Sequence, residues 1–453
     1  MILLPYLIYV TNNLNGGFGM DVKEKVSNSA VHVNYHIYTA KDAKNLFNDR
    51  DLYIWGAGLK GRGFKKALER NGFKIKAFLD SSPLLIGSEY DGTPILEPQA
   101  FLKNLNKKNV FILTATVDKK NKEIFAKMEN AGLKKGKDFI NIQELCPYYP
   151  VVEISGICNL RCISCPRGSN KVKKGGFMRT PDYLKIINKL ITEIPFLYLV
   201  DLYIWGEPLL NPDLPEIIKI NNHLGISSGI SSNLNVRPDI IEKVIKASPQ
   251  LIRVSLSGYG KTNYEITHTG GKWKVLYENL NFLADLIKKY QVKTIVEIYF
   301  HVNKKNLPEA KKMQQLCAEL NFRFHPSIHM IFPDYVMDYI EGNELNEATK
   351  HAKDLMVVSL DEMIDKAKKE QNKSCLLKRI IPVINWDMSV VPCCNYSYQK
   401  LADNYLNISL PDVILLRKIH PLCNKCQNLS LHRYFDPVYY SDYINNLLNS
   451  EAS

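Results

Sequence analysis

Three cysteines that follow directly on an apolar, β-branched run constrain the fold of this chain more than any other feature of its sequence. The run VVEISGI begins at Val151, and Cys158, Cys162 and Cys165 come after it with the spacing C-x3-C-x2-C. Such a run predicts a buried strand, and the cysteines then lie on the loop that leaves it. One short loop with this spacing can place three thiolates around a single iron–sulfur cube and leave its fourth iron without a protein ligand.

Zinc, or three unconnected buried cysteines, are the alternatives for this stretch. Structural zinc normally takes four ligands in paired C-x2-C form, and three cysteines within eight residues would be unusual in a core. The spacing therefore favours the cluster. An iron without a protein ligand is a place where a cofactor can bind and react.

Strands and helices alternate with regular spacing from Val151 onward. Six βα units predict a parallel sheet curled into a partial (β/α)6 barrel, with ligands at the carboxyl ends of the strands. The predicted strands are Val151–Ser155, Tyr198–Ile204, Ile226–Ser231, Ile252–Ser257, Lys293–Phe300 and Arg323–Met330, and predicted helices between them include Pro181–Thr192, Leu214–Leu224, Lys272–Tyr290 and Pro308–Leu320.

The cysteine spacing at the start of such a barrel resembles the signature of the radical S-adenosylmethionine (SAM) superfamily, in which the free iron chelates SAM. Trp205-Gly206-Glu207-Pro208, after the second predicted strand, resembles the family's GGEP segment, with Trp205 in place of the first glycine. Serine and asparagine also form ordinary turns, and a histidine in a glycine loop is often a surface residue. The resemblance implies contacts to SAM from Gly206, Glu207, Ser232, Asn233, Ser255 and His268.

A glycine fingerprint lies in the N-terminal third of the chain. Gly56, Gly58 and Gly61 form G-x-G-x-x-G after the predicted strand DLYIW, and Asp80 closes the next strand. This context is typical of dinucleotide binding, because glycines let backbone amides approach a phosphate and the acid can accept a ribose hydroxyl. Residues 50–145 resemble the small Rossmann-like domains of bacterial sugar-modifying enzymes, which implies a nucleotide or nucleotide-sugar pocket. A scaffold whose glycines only permit close packing is the alternative.

A second group of cysteines lies near the C-terminus. Cys375, either Cys393 or Cys394, Cys423 and Cys426 fall within 52 residues, and the last pair has the spacing C-x2-C. Four thiolates could ligate a second cluster completely, although zinc would also be satisfied by them. The pattern resembles the auxiliary-cluster module called SPASM or, in its single-cluster form, twitch. We predict one auxiliary [4Fe–4S] cluster, with Cys393 as the ligand of the adjacent pair.

Length and these motifs together predict an α/β protein of three units, the last of them a cysteine-rich module. At 453 residues the chain is too long for one compact core. We expect a small Rossmann-like domain with an N-terminal extension over residues 1–148, a radical SAM partial barrel over 149–340, and a bridging helix with the SPASM/twitch module over 341–453.

The distribution of charge and the number of cysteines limit which partners and which cellular compartment we expect. Lys and Arg outnumber Asp and Glu by 59 to 46, but the charge is spread along the chain and no arginine-aromatic pattern predicts nucleic acid as a partner. The apolar start Met1–Val10 is too short to span a bilayer and lacks the flanks of a signal peptide. Ten bunched cysteines predict metal ligation in a reducing compartment, and hence a cytoplasmic protein.

The resemblance implies an enzyme, a radical SAM oxidoreductase of the dehydrogenase or epimerase type. Such an enzyme reductively cleaves SAM to a 5′-deoxyadenosyl radical, which removes hydrogen from an unactivated carbon. We predict a sugar or nucleotide-linked sugar as substrate and an electron donor such as flavodoxin or ferredoxin. A maturase of a peptide or protein side chain is the alternative substrate class, and a non-catalytic metal-binding scaffold is an alternative of another kind. The sequence assigns no catalytic side chain.

Overall fold

The computed structural model describes residues 37–106, 109–116, 118–168 and 175–450. The apolar start and the predicted N-terminal extension up to residue 36 lie outside the described residues. Two sheets organise the described part of the chain, one of six strands and one of eight.

The front sheet holds the glycine fingerprint. Its strand order is β3-β4-β2-β1-β5-β6, and its pairs are parallel except for β3 with β4. Strand β5 is buried at every position, as expected for an apolar strand within a parallel sheet covered on both faces. The elements are α1 (Ala40–Phe47), β1 (Asp51–Trp55), α2 (Leu59–Arg70), β2 (Ile75–Leu79), β3 (Glu89–Tyr90), β4 (Thr93–Leu96), α3 (Pro98–Lys103), β5 (Val110–Thr114), α4 (Asp118–Asn130), β6 (Phe139–Asn141) and α5 (Ile142–Leu145).

The second sheet contains the predicted βα units. Its order is β12-β11-β10-β9-β8-β7-β13-β14, so six parallel strands run in chain order as predicted. These strands and the helices between them are β7 (Val151–Val152), α6 (Thr180–Glu193), β8 (Leu199–Asp201), α7 (Leu214–His223), β9 (Ser227–Ser232), α8 (Pro238–Lys246), β10 (Leu251–Leu256), α9 (Lys261–Thr267), α10 (Trp273–Tyr290), β11 (Ile295–Val302), α11 (Ala310–Glu319) and β12 (Arg323–Ile328).

The C-terminal segment adds helices and one hairpin to this sheet. The bridging helix predicted after residue 341 is two helices, because Ser359 caps a new helix start with its side chain. The last helix packs against β12 and covers that edge of the sheet. The elements are α12 (Pro333–Ile340), α13 (Glu347–Asp354), α14 (Leu360–Lys369), β13 (Val383–Ile384), β14 (Val390–Val391), α15 (Leu410–Ile419), α16 (Pro421–Asn428) and α17 (Pro437–Ser450).

The front sheet is attached to the amino-terminal ends of the barrel strands. The guanidinium of Arg70, at the end of α2, donates to the carbonyls of Pro195 (3.0 Å) and Leu224 (2.9 Å), which lie in the loops before β8 and β9. Phe64 of the same helix packs edge-on against Tyr198, with ring centroids 5.6 Å apart. The cysteine loop follows β7 at the carboxyl ends, so the front sheet and this loop lie at opposite ends of the parallel strands.

The C-terminal hairpin extends the barrel sheet beside β7. Strand β13 pairs parallel with β7, Val383 opposite Val151, and the amide of Glu153 donates to the carbonyl of Ile384 (2.8 Å). The guanidinium of Arg379, just before the hairpin, donates to the carbonyl of Pro147 (2.9 Å). The hairpin therefore ends next to the cysteine loop.

Candidate active site and metal centres

The cysteine loop is fixed at its base and along its side. At its base the amide of Gly156 donates to the carbonyl of Gly176 (2.8 Å), and that of Gly175 donates to Gly156 (3.0 Å). Along its side the amide of Arg161 donates to the carbonyl of Thr269 (2.8 Å), just after α9, and the amide of Ile163 donates to the carbonyl of Thr267 (3.2 Å), the last residue of α9. Backbone hydrogen bonds thus set the path of the loop at both points.

Two hydrogen-bond donors lie near the thiol of Cys158. The amide of Leu160 lies 3.4 Å from Sγ of Cys158, and the side-chain amide of Asn233 lies 3.7 Å from the same sulfur. Burial raises the pKa of Cys158 to about 11 and also raises the pKa values of Cys162 and Cys165. Thiolates here therefore need a bound cation, and ligation by iron supplies one. Hydrogen bonds to sulfur are a usual feature of iron–sulfur ligation, so these residues fit a cluster.

A buried acid that the sequence analysis did not single out connects the cysteine loop to the Gly-Glu-Pro turn. One carboxylate oxygen of Glu153 accepts the amides of Trp205 (2.9 Å) and Gly206 (3.0 Å). Nη2 of Arg167, two residues after Cys165, lies 3.9 Å from that oxygen, and both side chains are buried. Glu153 therefore fixes the turn against the loop. Its sequence signal is a single acid inside the apolar run VVEIS.

Glu207 is buried between two strand ends. One carboxylate oxygen accepts the amide of Leu209 (3.0 Å), and the other accepts the amide of Asn233 (2.8 Å). A Cβ added at Gly206 would lie 1.7 Å from the carbonyl oxygen of Ser155, so only glycine allows this approach. Burial raises the pKa of Glu207 to about 7, although the backbone amides oppose the shift.

Ser232 and Asn233 lie beside Glu207 at the end of β9. The Ser232 hydroxyl accepts the amide of Leu234 (2.9 Å), and Nδ2 of Asn233 donates to Oδ1 of Asn159 (2.9 Å) in the cysteine loop. Three of the predicted SAM contacts, Glu207, Ser232 and Asn233, are thus brought together at the cysteine loop.

The two remaining predicted SAM contacts, His268 and Ser255, make contacts with other residues. His268 stacks on Tyr264, with ring centroids 4.7 Å apart, and burial lowers its pKa to about 4. The imidazole is therefore neutral at pH 7, so a contact from His268 to the carboxylate of SAM would be a hydrogen bond and not an ion pair. Ser255 places its hydroxyl 2.9 Å from Nε2 of His301 on the neighbouring strand.

We expect a pH-dependent stability difference between the wild type and Glu207→Gln. Burial raises the folded pKa of Glu207 to about 7, above the ordinary value of 4.5, so between these values the carboxyl ionises in the unfolded state and stays protonated in the folded state, which lowers the free energy of unfolding as the pH rises. The wild type should lose about 3 kcal/mol relative to Glu207→Gln as the pH rises from 4.5 to 7. Urea unfolding of both metal-free proteins across this range measures the difference, and a difference that does not change with pH would contradict the assignment.

The C-terminal cysteines surround one cavity. Cys375, Cys393, Cys423 and Cys426 all line a cavity of about 390 Å³. Cys423 and Cys426 are on one face of α16, since they lie three residues apart. The residues that line the cavity include Cys393 but not Cys394, which follows it in sequence and is half-buried.

The polar groups of this cavity suit an anionic occupant. Arg417 lines it, held by hydrogen bonds to the carbonyls of Ile380 (3.0 Å) and Leu377 (2.8 Å). Burial raises the pKa values of Cys393 and Cys423, and the charge of Arg417 opposes the increase. Nδ1 of His432, also in the lining, is buried and has no hydrogen-bond partner among the described residues. An anionic iron–sulfur cluster fits these groups.

No three His, Cys, Asp or Glu side chains within the described ranges lie close enough together to hold a single metal ion. A cluster needs a wider arrangement, because each cysteine ligates a different iron of the cube.

Asp80 and two of the three fingerprint glycines make contacts within the N-terminal glycine turn and the segment next to it. Oδ2 of Asp80 accepts the amide of Ala57 (2.8 Å), and its Oδ1 accepts the amide of Ser82 (2.9 Å). A Cβ at Gly61 would lie 1.9 Å from the carbonyl oxygen of Gly56, which itself has a φ of 112°. The acid and these two glycines thus stabilise the turn and its packing, while Gly58 faces open space. Nucleotide binding there stays a prediction.

Comparison with known proteins agrees with this geometry. Residues 152–313 match the family model described as Radical SAM superfamily. The chain is similar to the GTP 3′,8-cyclase of Clostridium botulinum, 23% identical over 159 residues that are 33% of this chain and 47% of that protein. It is also similar to the Fe-coproporphyrin III synthase of Methanosarcina barkeri, 23% identical over 202 residues that are 44% of this chain and 48% of that protein.

Among solved structures, the fold is similar to that of Streptococcus suis SuiB bound to S-adenosylmethionine. The TM-score is 0.44 at 14% identity, over 72% of this chain and 75% of that one. The chain spans about half the length of the curated relatives that it matches.

The match over residues 152–313 agrees with the resemblance to the radical SAM superfamily that the cysteine spacing indicated, and confirms it for this segment. The cofactors are accordingly a [4Fe–4S] cluster and SAM. In the described part of the chain, no helix combines the length and the hydropathy needed to cross a membrane.

Proposed function

We propose that this chain is a radical SAM oxidoreductase that takes hydrogen from a hydroxylated small molecule, most simply a sugar. Cys158, Cys162 and Cys165 would hold the SAM-binding cluster, and Glu207 with Asn233 would contact the bound SAM. When bound, these cofactors supply a 5′-deoxyadenosyl radical that abstracts hydrogen from carbon. The side chains of the loop and of the strand ends orient the cofactors and exclude water around them.

The polar inner face of the barrel sheet is the observation that supports this substrate class. Strands β10 and β11 alternate between buried and half-buried residues, and the half-buried ones face away from the covering helices. On this face Nε of Arg253 lies 3.2 Å from a carboxylate oxygen of Glu297, and its Nη1 lies 3.3 Å from the hydroxyl of Tyr203. The side chains of Arg253 and Glu297 remain 31% and 19% exposed. Paired donors and acceptors that solvent can reach suit a ligand with several hydroxyl groups.

The four cysteines of the C-terminal cavity would hold one auxiliary [4Fe–4S] cluster. When bound, such a cluster can accept the electron that remains after hydrogen abstraction, as oxidation of an alcohol to a ketone requires. This supports oxidation over epimerisation. An external donor such as flavodoxin or ferredoxin would reduce the SAM-binding cluster. We also propose the division into a Rossmann-like domain, a barrel and a SPASM/twitch module near residues 148 and 340.

The position of the front sheet favours a free sugar over a nucleotide sugar held by both sites at once. Helix α2, which begins at the glycine turn, packs on the amino-terminal strand ends, whereas the cysteine loop lies at the carboxyl ends. The eight residues of β11 correspond to a barrel height of about 26 Å. A nucleotide bound at the glycine turn would therefore lie far from the hydrogen to be removed.

The test is a substrate screen with iron-loaded protein under anaerobic conditions. Reduced protein with SAM is mixed with free sugars, nucleotide sugars or peptides, and 5′-deoxyadenosine is measured. We expect formation to increase with a member of the sugar class, and a deuterium label on the reacting carbon to appear in 5′-deoxyadenosine. If only peptides increase 5′-deoxyadenosine formation, the substrate is a peptide and not a sugar. No 5′-deoxyadenosine from fully loaded protein would favour the scaffold and contradict an enzymatic function.

A further inference from the structure

An indole from the C-terminal hairpin fills a slot between the two ends of the cysteine loop. Trp386 is half-buried on the turn between β13 and β14. A Cβ added at Gly156, before the cysteines, would lie 2.2 Å from Cδ1 of this indole, and one added at Gly175, after them, would lie 2.4 Å from Nε1. A Cβ at Gly176 would lie 2.7 Å from Cζ3. Only glycines leave room for the ring at these three positions.

The same hairpin is connected to both groups of cysteines. Its first strand pairs with β7, which leads into the cysteine loop, and its second strand ends just before Cys393 in the C-terminal cavity. The two ends of the cysteine loop are also hydrogen-bonded to each other through Gly156, Gly175 and Gly176. Trp386 therefore packs on a closed base from which the three cysteines project.

We infer that Trp386 is a positioning residue, which holds the base of the cysteine loop in the shape that the SAM-binding cluster requires and so makes the first metal centre depend on the folded hairpin. This packing role is independent of the substrate. It gives the C-terminal module a function at the radical site in addition to the cluster proposed for its own cavity.

Gly176 allows a direct test of this contact. The three atoms nearest to a Cβ at this position all belong to the Trp386 ring, at 2.7, 3.1 and 3.3 Å, whereas a Cβ at Gly156 or Gly175 would also meet backbone. The wild type, Gly176→Ala, Trp386→Leu and the double variant form a thermodynamic cycle. The measurements are SAM affinity, iron and sulfide content, and the change that SAM causes in the EPR spectrum of the reduced protein.

We expect Gly176→Ala and Trp386→Leu each to weaken SAM binding about tenfold and to diminish the SAM-induced EPR change, as for residues that support metal ligands. Adding Gly176→Ala to Trp386→Leu should cost nothing more, because Leu lacks the ring atoms that the methyl group would meet. Trp386→Phe, which keeps an aromatic ring, should recover part of the affinity and of the EPR change.

Three results would overturn the inference. The first is an unchanged SAM-induced EPR signal in Trp386→Leu. The second is a loss of SAM affinity on Gly176→Ala that is the same in the wild type and in Trp386→Leu. The third is that Trp386→Leu and Trp386→Phe each lose as much iron from the C-terminal cysteines as from the cysteine loop. Wild-type protein that cleaves SAM would show in each case that radical SAM chemistry itself is intact.

Discussion

Replacing Cys158 by alanine should reduce 5′-deoxyadenosine formation to background. The thiol lies next to the amide of Leu160 and the side chain of Asn233, and a cluster held at three corners cannot lose one of them and still present its open iron. Anaerobically reconstituted Cys158→Ala should retain the iron of the C-terminal cavity and lose the SAM-dependent EPR change. Iron analysis, EPR and chromatography of the products measure the three quantities.

Cys317→Ala is the matched control for this variant. Cys317 is a buried thiol on α11 and packs in the hydrophobic core. Its replacement removes a cysteine that belongs to neither candidate metal site, so SAM cleavage should continue. Equal cleavage by the wild type and Cys158→Ala would remove the proposed role of the loop cysteine.

Local patterns made the cysteine loop and the Gly-Glu-Pro turn predictable from the sequence. A β-branched run followed by C-x3-C-x2-C needs no knowledge of distant residues, because strand, loop and ligands are contiguous. The Gly-Glu-Pro turn was found in the same way, and the structure brings Glu207 to the strand end that carries Asn233. The alternation of strands and helices predicted the parallel order of the sheet.

Contacts between distant segments could not be predicted in this way. Glu153 lies inside an apolar run, and only the fold shows that it accepts the amides of Trp205 and Gly206. Asp80 fits the position of a ribose ligand in sequence, yet its carboxylate accepts two backbone amides of its own domain. Trp386 has no motif at all, since its three glycine partners lie far away in the chain.

The sequence alone could not decide whether Cys393 or the adjacent Cys394 is the ligand. Spacing alone cannot separate them, because successive residues after a strand point in different directions. In the structure, a 3₁₀ turn begins at Cys394, and the lining of the described cavity includes only Cys393 of the pair. The ligand role of Cys393 stays a prediction that the next experiment tests.

Replacing a cysteine of the C-terminal cavity should uncouple SAM cleavage from product formation. Cys423 lies on α16 and lines the cavity together with Arg417, at a distance in sequence from the radical SAM segment. We expect Cys423→Ala to lose the iron of this cavity and to give no oxidised product, because the substrate electron then has no acceptor. Cleavage of SAM should continue without coupling to substrate, so 5′-deoxyadenosine and product no longer form in equal amounts.

Cys394→Ala is the control that makes this result specific. Cys394 is adjacent to Cys393 in sequence and half-buried, but it does not line the described cavity, so coupling should remain close to that of the wild type. The measurement is the ratio of product to 5′-deoxyadenosine, taken for Cys423→Ala, Cys393→Ala and Cys394→Ala under one anaerobic protocol. Full coupling in Cys423→Ala would exclude a required second cluster, whereas loss of coupling in Cys394→Ala and not in Cys393→Ala would assign the ligand to Cys394.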